Sequence, residues 1–464
     1  MKGQGGNMSN LIIYLSPLLK QLSIAAFTIF IIYILIASSK SHIKEPASLS
    51  ASPTLKFTPQ NDAHGILFGK KNGNIAFSPA NNEGHIAVFG GSGSGKTSAL
   101  LIPTLRSWTG TSLTIDISGD ISTNCDMRDK LTFEPSNAHT IPYNIFDSID
   151  RTTDINEKYE NLEQLAYMLM PESERMDDNA RFFLTEGRKI LTAALIAFYF
   201  QGMDFIQICE FIIKNSFQNL FSAIDNSHCE TAIQYINSFQ GANEKNTAGC
   251  KQATDNAIKL FATNSKIKKC IHRPVKHELC FCAASIEHSN VFVIIDDVQL
   301  ELYAPLLHVI TAQCLDYFSS RSAEYTHSIL FALDEFASFG KLDITAALRK
   351  LRKRHVRIMI LTQSMADIDL IYGRSERMAM MNNFQFKVVL GVSDTDTQEY
   401  FSKLIGNKII QNHSISRNAK SVTRTYTDTK EYVVEPSELA HLKNELLLLY
   451  PDGYIRLIKN FYFL

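Results

Sequence analysis

At 464 residues the chain has room for two or three domains, and a formal net charge of −1 excludes a generally basic coat, so any contact with nucleic acid must be local. Its eight cysteines include no C-x-x-C pair, a usage that suits a reducing compartment.

In chain order, the first strong signal is Gln21 to Ser39, "QLSIAAFTIFIIYILIASS", uncharged and bounded by Lys20 and Lys40. A helix of about 19 residues reaches about 28 Å, close to the thickness of a bilayer core. The preceding "LIIYLSPLL" is too short to cross alone and contains Pro17. Residues 1–40 therefore read as a single-span anchor, with a cleaved signal peptide as the competing reading. Residues 41–60, rich in Ser, Pro and Lys, read as a linker. "GILFGKKNGNIAFSPANNEG" then predicts a hairpin turning at Asn72-Gly73.

"HIAVFGGSGSGKTSALLIP" follows: an apolar strand, G-x-x-x-x-G-K-T, and a helical pattern. A glycine-rich turn between strand and helix lets backbone N–H groups converge on phosphate, and the helix N-terminus adds positive partial charge. The loop from Gly90 through Gly93, Ser94, Gly95, Lys96 and Thr97 to Ser98 is thus the candidate nucleotide cradle. Lys96 would reach the outer phosphates and the Thr97 hydroxyl would bind Mg²⁺. A nucleotide site needs ATP, which places everything after the anchor on the cytoplasmic side. "TSLTIDIS" predicts a strand ending at Asp116, and "PYNIFDSID" closes this first block, 61–154.

Residues 155–285 change texture. "NLEQLAYMLM", "NARFFLTEGRKILTAALIAFYF" and "FIQICEFIIKN" carry apolar residues at three- and four-residue spacing, predicting an all-α domain inserted in an α/β one. Its end, "CIHRPVKHELCFC", offers Cys270, His272, His277, Cys280 and Cys282 as soft ligands. The spacing fits no common zinc pattern and a proline interrupts it.

Over 286–464 strand runs return, "NVFVIIDD", "SILFALDEF", "VRIMILTQS" and "FQFKVVLGV", separated by helical patterns, which implies a mostly parallel sheet with helices on both faces. Two strands end in acid pairs, Asp296-Asp297 and Asp334-Glu335. The second suits phosphoryl transfer better: Asp334 can hold a Mg²⁺-bound water and the longer Glu335 can act as general base. Gln363 ends the next strand, where an amide can orient water or sense the γ-phosphate. Between them "ALRKLRKRHVR" carries Arg349, Lys350, Arg352, Lys353, Arg354 and Arg357. It is a solvated face, the source of an arginine acting on a neighbouring subunit's nucleotide, or a path for a phosphate backbone. "SISRNAKSVTRTYTDTKEY" (414–432) is polar and reads as a loop or hairpin.

With these pieces placed, the chain resembles the TraG/TraD class of type IV secretion coupling proteins, ring-forming ATPases of conjugation systems. The carriers run in order from about residue 65: "FGKKNGNIAFSPANNEGHIAVFGGSGSGKT", "IPTLRSWTGTSLTIDISGD", "PYNIFDSID", "ILFALDEFASFGKLD", "LTQSMADIDLIYG", "DTDTQEYFSKLIG" and "PDGYIRLIKNFYF". The resemblance implies a membrane anchor, a RecA-like P-loop nucleotide-binding domain and an all-helical insertion. It gives Lys96, Thr97, Asp334, Glu335 and Gln363 the ATP and Mg²⁺ roles. Arg352, eleven residues before Gln363, falls at the trans-acting arginine. Relatives usually read D-x-K-G-E after the second strand, whereas "DISGD" puts Ser118 and Asp120 in the Lys and Glu places.

The expected protein is a membrane-anchored, hexameric ATPase of the bacterial inner membrane. It would feed relaxase-bound single-stranded DNA or effector protein to a type IV secretion channel, with docking left to the helical insertion or an adaptor. An FtsK-like translocase on duplex DNA and a scaffold that binds ATP without turnover are the alternatives.

Overall fold

A computed structural model describes residues 55–172, 176–322, 324–418 and 421–464. The expected membrane helix at 21–39 lies outside them, and among the described residues no helix is long and apolar enough to cross a bilayer.

The strands are β1 (Lys56–Thr58), β2 (Gly65–Lys71), β3 (Asn74–Pro79), β4 (His85–Phe89), β5 (Thr111–Asp116), β6 (Lys130–Phe133), β7 (Asn290–Ile294), β8 (Ile329–Leu333), β9 (Val356–Thr362), β10 (Phe384–Val389), β11 (Asn407–Asn418), β12 (Ser421–Tyr432), β13 (Glu445–Tyr450) and β14 (Gly453–Ile458). All but β11 and β12 join one sheet, ordered β1-β3-β2-β14-β13-β10-β4-β9-β8-β5-β7-β6. From β10 to β6 every pairing is parallel. From β10 to β1 every pairing is antiparallel. The expected α/β sheet is therefore mixed, because its last strands return beside β10 and join the N-terminal hairpin. That hairpin turns at Asn72 and Gly73, with φ of 51° and 80°. Two successive left-handed residues match the twist of the strands they link.

β4, β7, β8 and β9 are buried at every position. Uninterrupted apolar runs of this kind belong to parallel strands covered on both faces. On one face Ile86 and Val88 of β4, Leu330 and Ala332 of β8, and Met359 and Leu361 of β9 share a core with Leu100, Leu101 and Leu105 of the helix that follows the glycine-rich loop. Each of the larger of these side chains, Ala332 apart, stabilises the fold by about 1.5–3 kcal/mol on burial, so the loop is anchored at both ends.

Between β6 and β7 the chain is helical, with longer helices Ile155–Leu169, Asp178–Phe200 and Glu244–Thr263. Asp154, Asp177 and Asn243 start them, each side chain accepting a hydrogen bond from an early backbone N–H. Departing and returning chains meet where Tyr143 N donates to Cys270 O (2.8 Å) and Phe281 N to Pro142 O (2.8 Å). Arg273 clamps this junction, donating to both Asp150 carboxylate oxygens (2.9 and 3.0 Å) beneath the Phe146 and Tyr199 rings.

The thiols of the suspected ligand run have protein partners: Cys270 faces Ile267 O, Cys280 faces Phe281 O and Cys282 faces Ser285 Oγ. Among the described residues no three His, Cys, Asp or Glu side chains gather to hold a metal. Ser402–Glu435 forms a unit of its own, in which β11 and β12 pair antiparallel from Asn407 opposite Tyr432. The polar 414–432 segment is thus part of a hairpin.

The helices Asp178–Phe200 and Glu244–Thr263 meet at Gly187, whose carbonyl accepts from Thr254 Oγ1 at 2.9 Å. A Cβ there would lie 2.9 Å from Cys250 O, a backbone atom that cannot swing aside. Gly187→Ala is expected to destabilise the protein by about 1–3 kcal/mol through overpacking, read as a lower midpoint in urea unfolding.

Candidate functional site

The glycine-rich loop leaves β4 tethered to two neighbours. Gly90 N donates to Thr362 O at the end of β9 (3.1 Å), and Gly91 N to Gly391 O beyond β10 (2.8 Å). Gly93 and Gly95 take φ of 70° and 96°, in the region that favours glycine. A Cβ on Gly90 would fall 2.3 Å from Ser94 Oγ. The helix then starts π-wound over Lys96–Leu101 and tightens to α over Ile102–Ser107. Such widened turns concentrate at functional sites.

Asp334 lies just beyond β8, two strands from β4 in the sheet. Its carboxylate oxygens are 3.3 and 3.5 Å from Thr97 Oγ1, across 237 residues of chain. Glu335 sits at φ 48° and ψ 51°, and its N–H donates to Asp334 Oδ1 at 3.2 Å. The Lys96 ammonium donates to Gly90 O (2.9 Å) and Gly91 O (3.4 Å) and stands 3.5 Å from Glu335 Oε1. Gln363 Nε2, just past β9, donates to Glu335 Oε2 at 3.4 Å. Lys96, Thr97, Asp334, Glu335 and Gln363 therefore form one cluster. The rival pair Asp296-Asp297 is exposed beyond β7, on the far side of β5 from β8.

Burial, reinforced by the Glu335 charge, pushes the Asp334 carboxyl up to about 6 against the opposing effects of Lys96 and Thr97. A carboxylate held this way favours arrival of a cation. The Thr97 hydroxyl and Asp334 are hard oxygen donors suited to Mg²⁺. Ser94 Oγ is buried with no protein partner among the described residues. An orphaned donor, two left-handed glycines and a convergent ammonium fit a phosphate chain. Residues 91–98 line a cavity of about 340 Å³ with Ile102, Asp120, Asn124, Glu335 and Tyr462.

Arg352 is placed elsewhere. It precedes β9, at the opposite end of the strand from Gln363, and its Nε donates to Glu83 at 2.6 Å. Seven residues of strand separate the two ends by roughly 23 Å, so Arg352 does not serve the cluster of its own protomer. The basic run divides. Arg349, Lys350, Arg352 and Lys353 are exposed, while Arg357 is fully buried and donates to Gly84 O (2.8 Å) and Pro79 O (3.0 Å). Arg357 is a structural residue, and a path for a phosphate backbone cannot include it.

Sequence reasoning missed two features. The Lys459 ammonium, after β14, donates to Ser94 O (2.8 Å), Leu390 O (2.7 Å), Leu442 O (2.9 Å) and Lys443 O (2.9 Å). Burial lowers it to about 8, yet four carbonyl oxygens favour the charged form at neutral pH. It ties the loop to the last strand. Asp116, fully buried, accepts from Gly119 N (2.9 Å) and Ser122 N (2.7 Å) and so shapes the turn that carries Ser118 and brings Asp120 to the cavity. For Lys459 the clue was a lysine inside the apolar closing run "LIKNFYFL".

Two measurements follow. A carboxyl raised from 3.8 to about 6 by the fold contributes stability below pH 4 that is lost as pH rises through 6. Asp334→Asn should therefore melt above the parent at pH 7.5 without nucleotide, by on the order of 3 kcal/mol. The difference should vanish near pH 4, and Mg²⁺-nucleotide should no longer stabilise the variant. Lys459→Met leaves buried carbonyls without a donor and should destabilise by about 2 kcal/mol or more, seen in chemical unfolding, with weaker nucleotide binding by calorimetry.

Comparison with known proteins bears on the family and the fold. The family model described as type IV secretory system conjugative DNA transfer matches residues 39–464. The chain is 22% identical over 408 residues to a conjugal transfer protein TraG of Agrobacterium fabrum (strain C58 / ATCC 33970), covering 83% of this chain and 61% of that protein. It is 23% identical over 376 residues to a VirD4 protein of Rhizobium radiobacter, covering 77% and 54%. It thus spans about three fifths or less of the length of these two relatives. Its fold is shared with the unbound conjugative coupling protein TrwBdeltaN70, at a TM-score of 0.68 and 19% identity over 86% of this chain and 88% of that one. TrwB solved with ADP and Mg²⁺ superposes with a TM-score of 0.64 at 20% identity, over 81% and 85%. The chain belongs to the type IV secretory system conjugative DNA transfer family.

Proposed function

We propose that this chain is the ATP-hydrolysing coupling protein of a conjugation or type IV secretion system, driving relaxase-bound single-stranded DNA or effector protein into the secretion channel. The observation that carries the reading is the meeting of Thr97 with Asp334 and of Lys96 with Glu335, from two distant stretches of chain, at the mouth of a glycine-rich loop. The names of its relatives, conjugal transfer proteins and secretion-coupling proteins, support the process. The solved complexes of TrwB with ADP and Mg²⁺ and with an ATP analogue support the ligand.

In this reading the loop amides and Lys96 hold the phosphates, while Thr97 and Asp334 hold the metal. Mg²⁺, when bound, neutralises charge on the outer phosphates. Glu335 takes the proton of the attacking water, and Gln363 orients that water. Lys96 is shared between loop carbonyls and Glu335, so an anionic phosphate chain competes for it. Drawing Lys96 away leaves Glu335 and its partner Gln363 to respond to nucleotide. Arg352, remote from its own cluster, is assigned to a neighbouring copy's nucleotide, which requires a second copy beside it; a hexameric ring is the proposed assembly. The anchor proposed for 1–40 would hold the ring on the inner membrane with its ATPase part in the cytoplasm.

Glu335→Gln should keep ATP affinity within a few-fold while lowering turnover by at least about 100-fold, in line with loss of general-base catalysis. Lys96→Ala should lose binding and turnover together. Phosphate release, nucleotide titration and a DNA- or effector-transfer assay read these out. Undiminished transfer by either variant would instead favour a non-hydrolysing scaffold.

A further inference from the structure

The final residues of the chain cross the start of the loop helix. Tyr462 N donates to Ser98 O at 3.0 Å, and a Cβ at Gly95 would lie 3.1 Å from the Phe461 ring. The Tyr462 ring lies over the Arg106 guanidinium at 4.9 Å. Arg106 is itself fixed, donating to Asn124 O (2.9 Å) and to Tyr462 O (3.2 Å). The Tyr462 ring, half-buried, borders the same cavity as residues 91–98.

The polarity of that cavity is set by its charged end. Lys96, Thr97, Asp334 and Glu335 define where the outer phosphates go, and the loop amides take the inner ones. The rest of the cavity wall is Ser98, Ile102, Asp120, Asn124 and Tyr462, and of these only Tyr462 offers a flat ring to the remainder of a nucleotide. An aromatic ring backed by a guanidinium is a ready platform for a flat heterocycle, because every base has a π-face. We infer that Tyr462 forms the wall of a nucleobase subsite, stacking on the base of the bound nucleoside triphosphate. This rests on the nucleotide reading of the loop and adds to it the group that distinguishes a nucleotide from a bare polyphosphate. Stacking carries little base identity, so ATP and GTP should bind within a few-fold of each other.

The test compares two ligands on the full-length protein in detergent: ATP and inorganic tripolyphosphate, each with Mg²⁺, titrated by calorimetry. Tyr462→Ala is expected to weaken ATP binding roughly ten- to hundredfold and tripolyphosphate binding less than twofold, while Tyr462→Phe stays near the parent for both. Equal losses for both ligands would show that Tyr462 only packs the loop, and no loss for ATP would show that the base lies elsewhere; either overturns the inference. Lys96→Ala separates the two readings. It should weaken both ligands alike, and if it weakens neither, the nucleotide site itself is misassigned and the base subsite falls with it.

Discussion

The parallel pairing of β4 with β9 and of β9 with β8, with Phe89 opposite Thr362 and Leu333 opposite Ile360, brings the loop, the acid pair and Gln363 to one level of the sheet. Each of these groups follows the carboxyl end of its strand, where α/β sheets place ligands. Register matters more here than any single contact. Sliding β8 by one residue would move Asp334 by about 3.3 Å and reverse the direction of its side chain. Thr97 would lose its partner. Because these strands are buried at every position, alternation alone does not choose the register; the individual fit of Ile86, Val88, Leu330, Ala332, Met359 and Leu361 under the loop helix does.

The cluster itself works against stability. Asp334 is buried beside the Glu335 charge, and Glu335 holds a left-handed backbone that a non-glycine residue adopts at a cost of about 1–3 kcal/mol. Such local costs persist when the surroundings over-determine the geometry. Here the surroundings are the core under the loop helix and the closing strand. Lys459 supplies a hydrogen-bond hub beneath Ser94, and Tyr462 holds the outer side of the helix through Ser98. The antiparallel flank is therefore part of the site's support and not an appendage to the parallel sheet.

At the other end of β9 the basic run follows a different logic. Arg357 turns inward to carbonyls that precede β4, and its neighbours stay in water. Carbonyls satisfy its Nε and Nη1, whereas Nη2 is buried with no partner among the described residues and burial lowers the group to about 9. The run thus combines one residue that locks the base of the sheet with several that face outward, among them Arg352.

Local chemistry could be read directly from the order of residues. Strand, glycine-rich turn and helix were legible because each has its own periodicity and backbone requirement, and Asp334-Glu335 was separable from Asp296-Asp297 by what phosphoryl transfer needs. The hairpin at Asn72-Gly73 and the helical character of 155–285 were legible for the same reason, since turn chemistry and three- and four-residue spacing are properties of short windows. Which distant residues meet emerged with the folded arrangement. The Thr97–Asp334 contact, the Lys459 hub, the Tyr462 ring over Arg106, the inward turn of Arg357 and the antiparallel return of β13 and β14 beside β10 all join residues far apart in the chain. Strand order and burial create those encounters, and neither has a local signature: a lysine in an apolar closing run reads alike whether it faces water or four carbonyl oxygens.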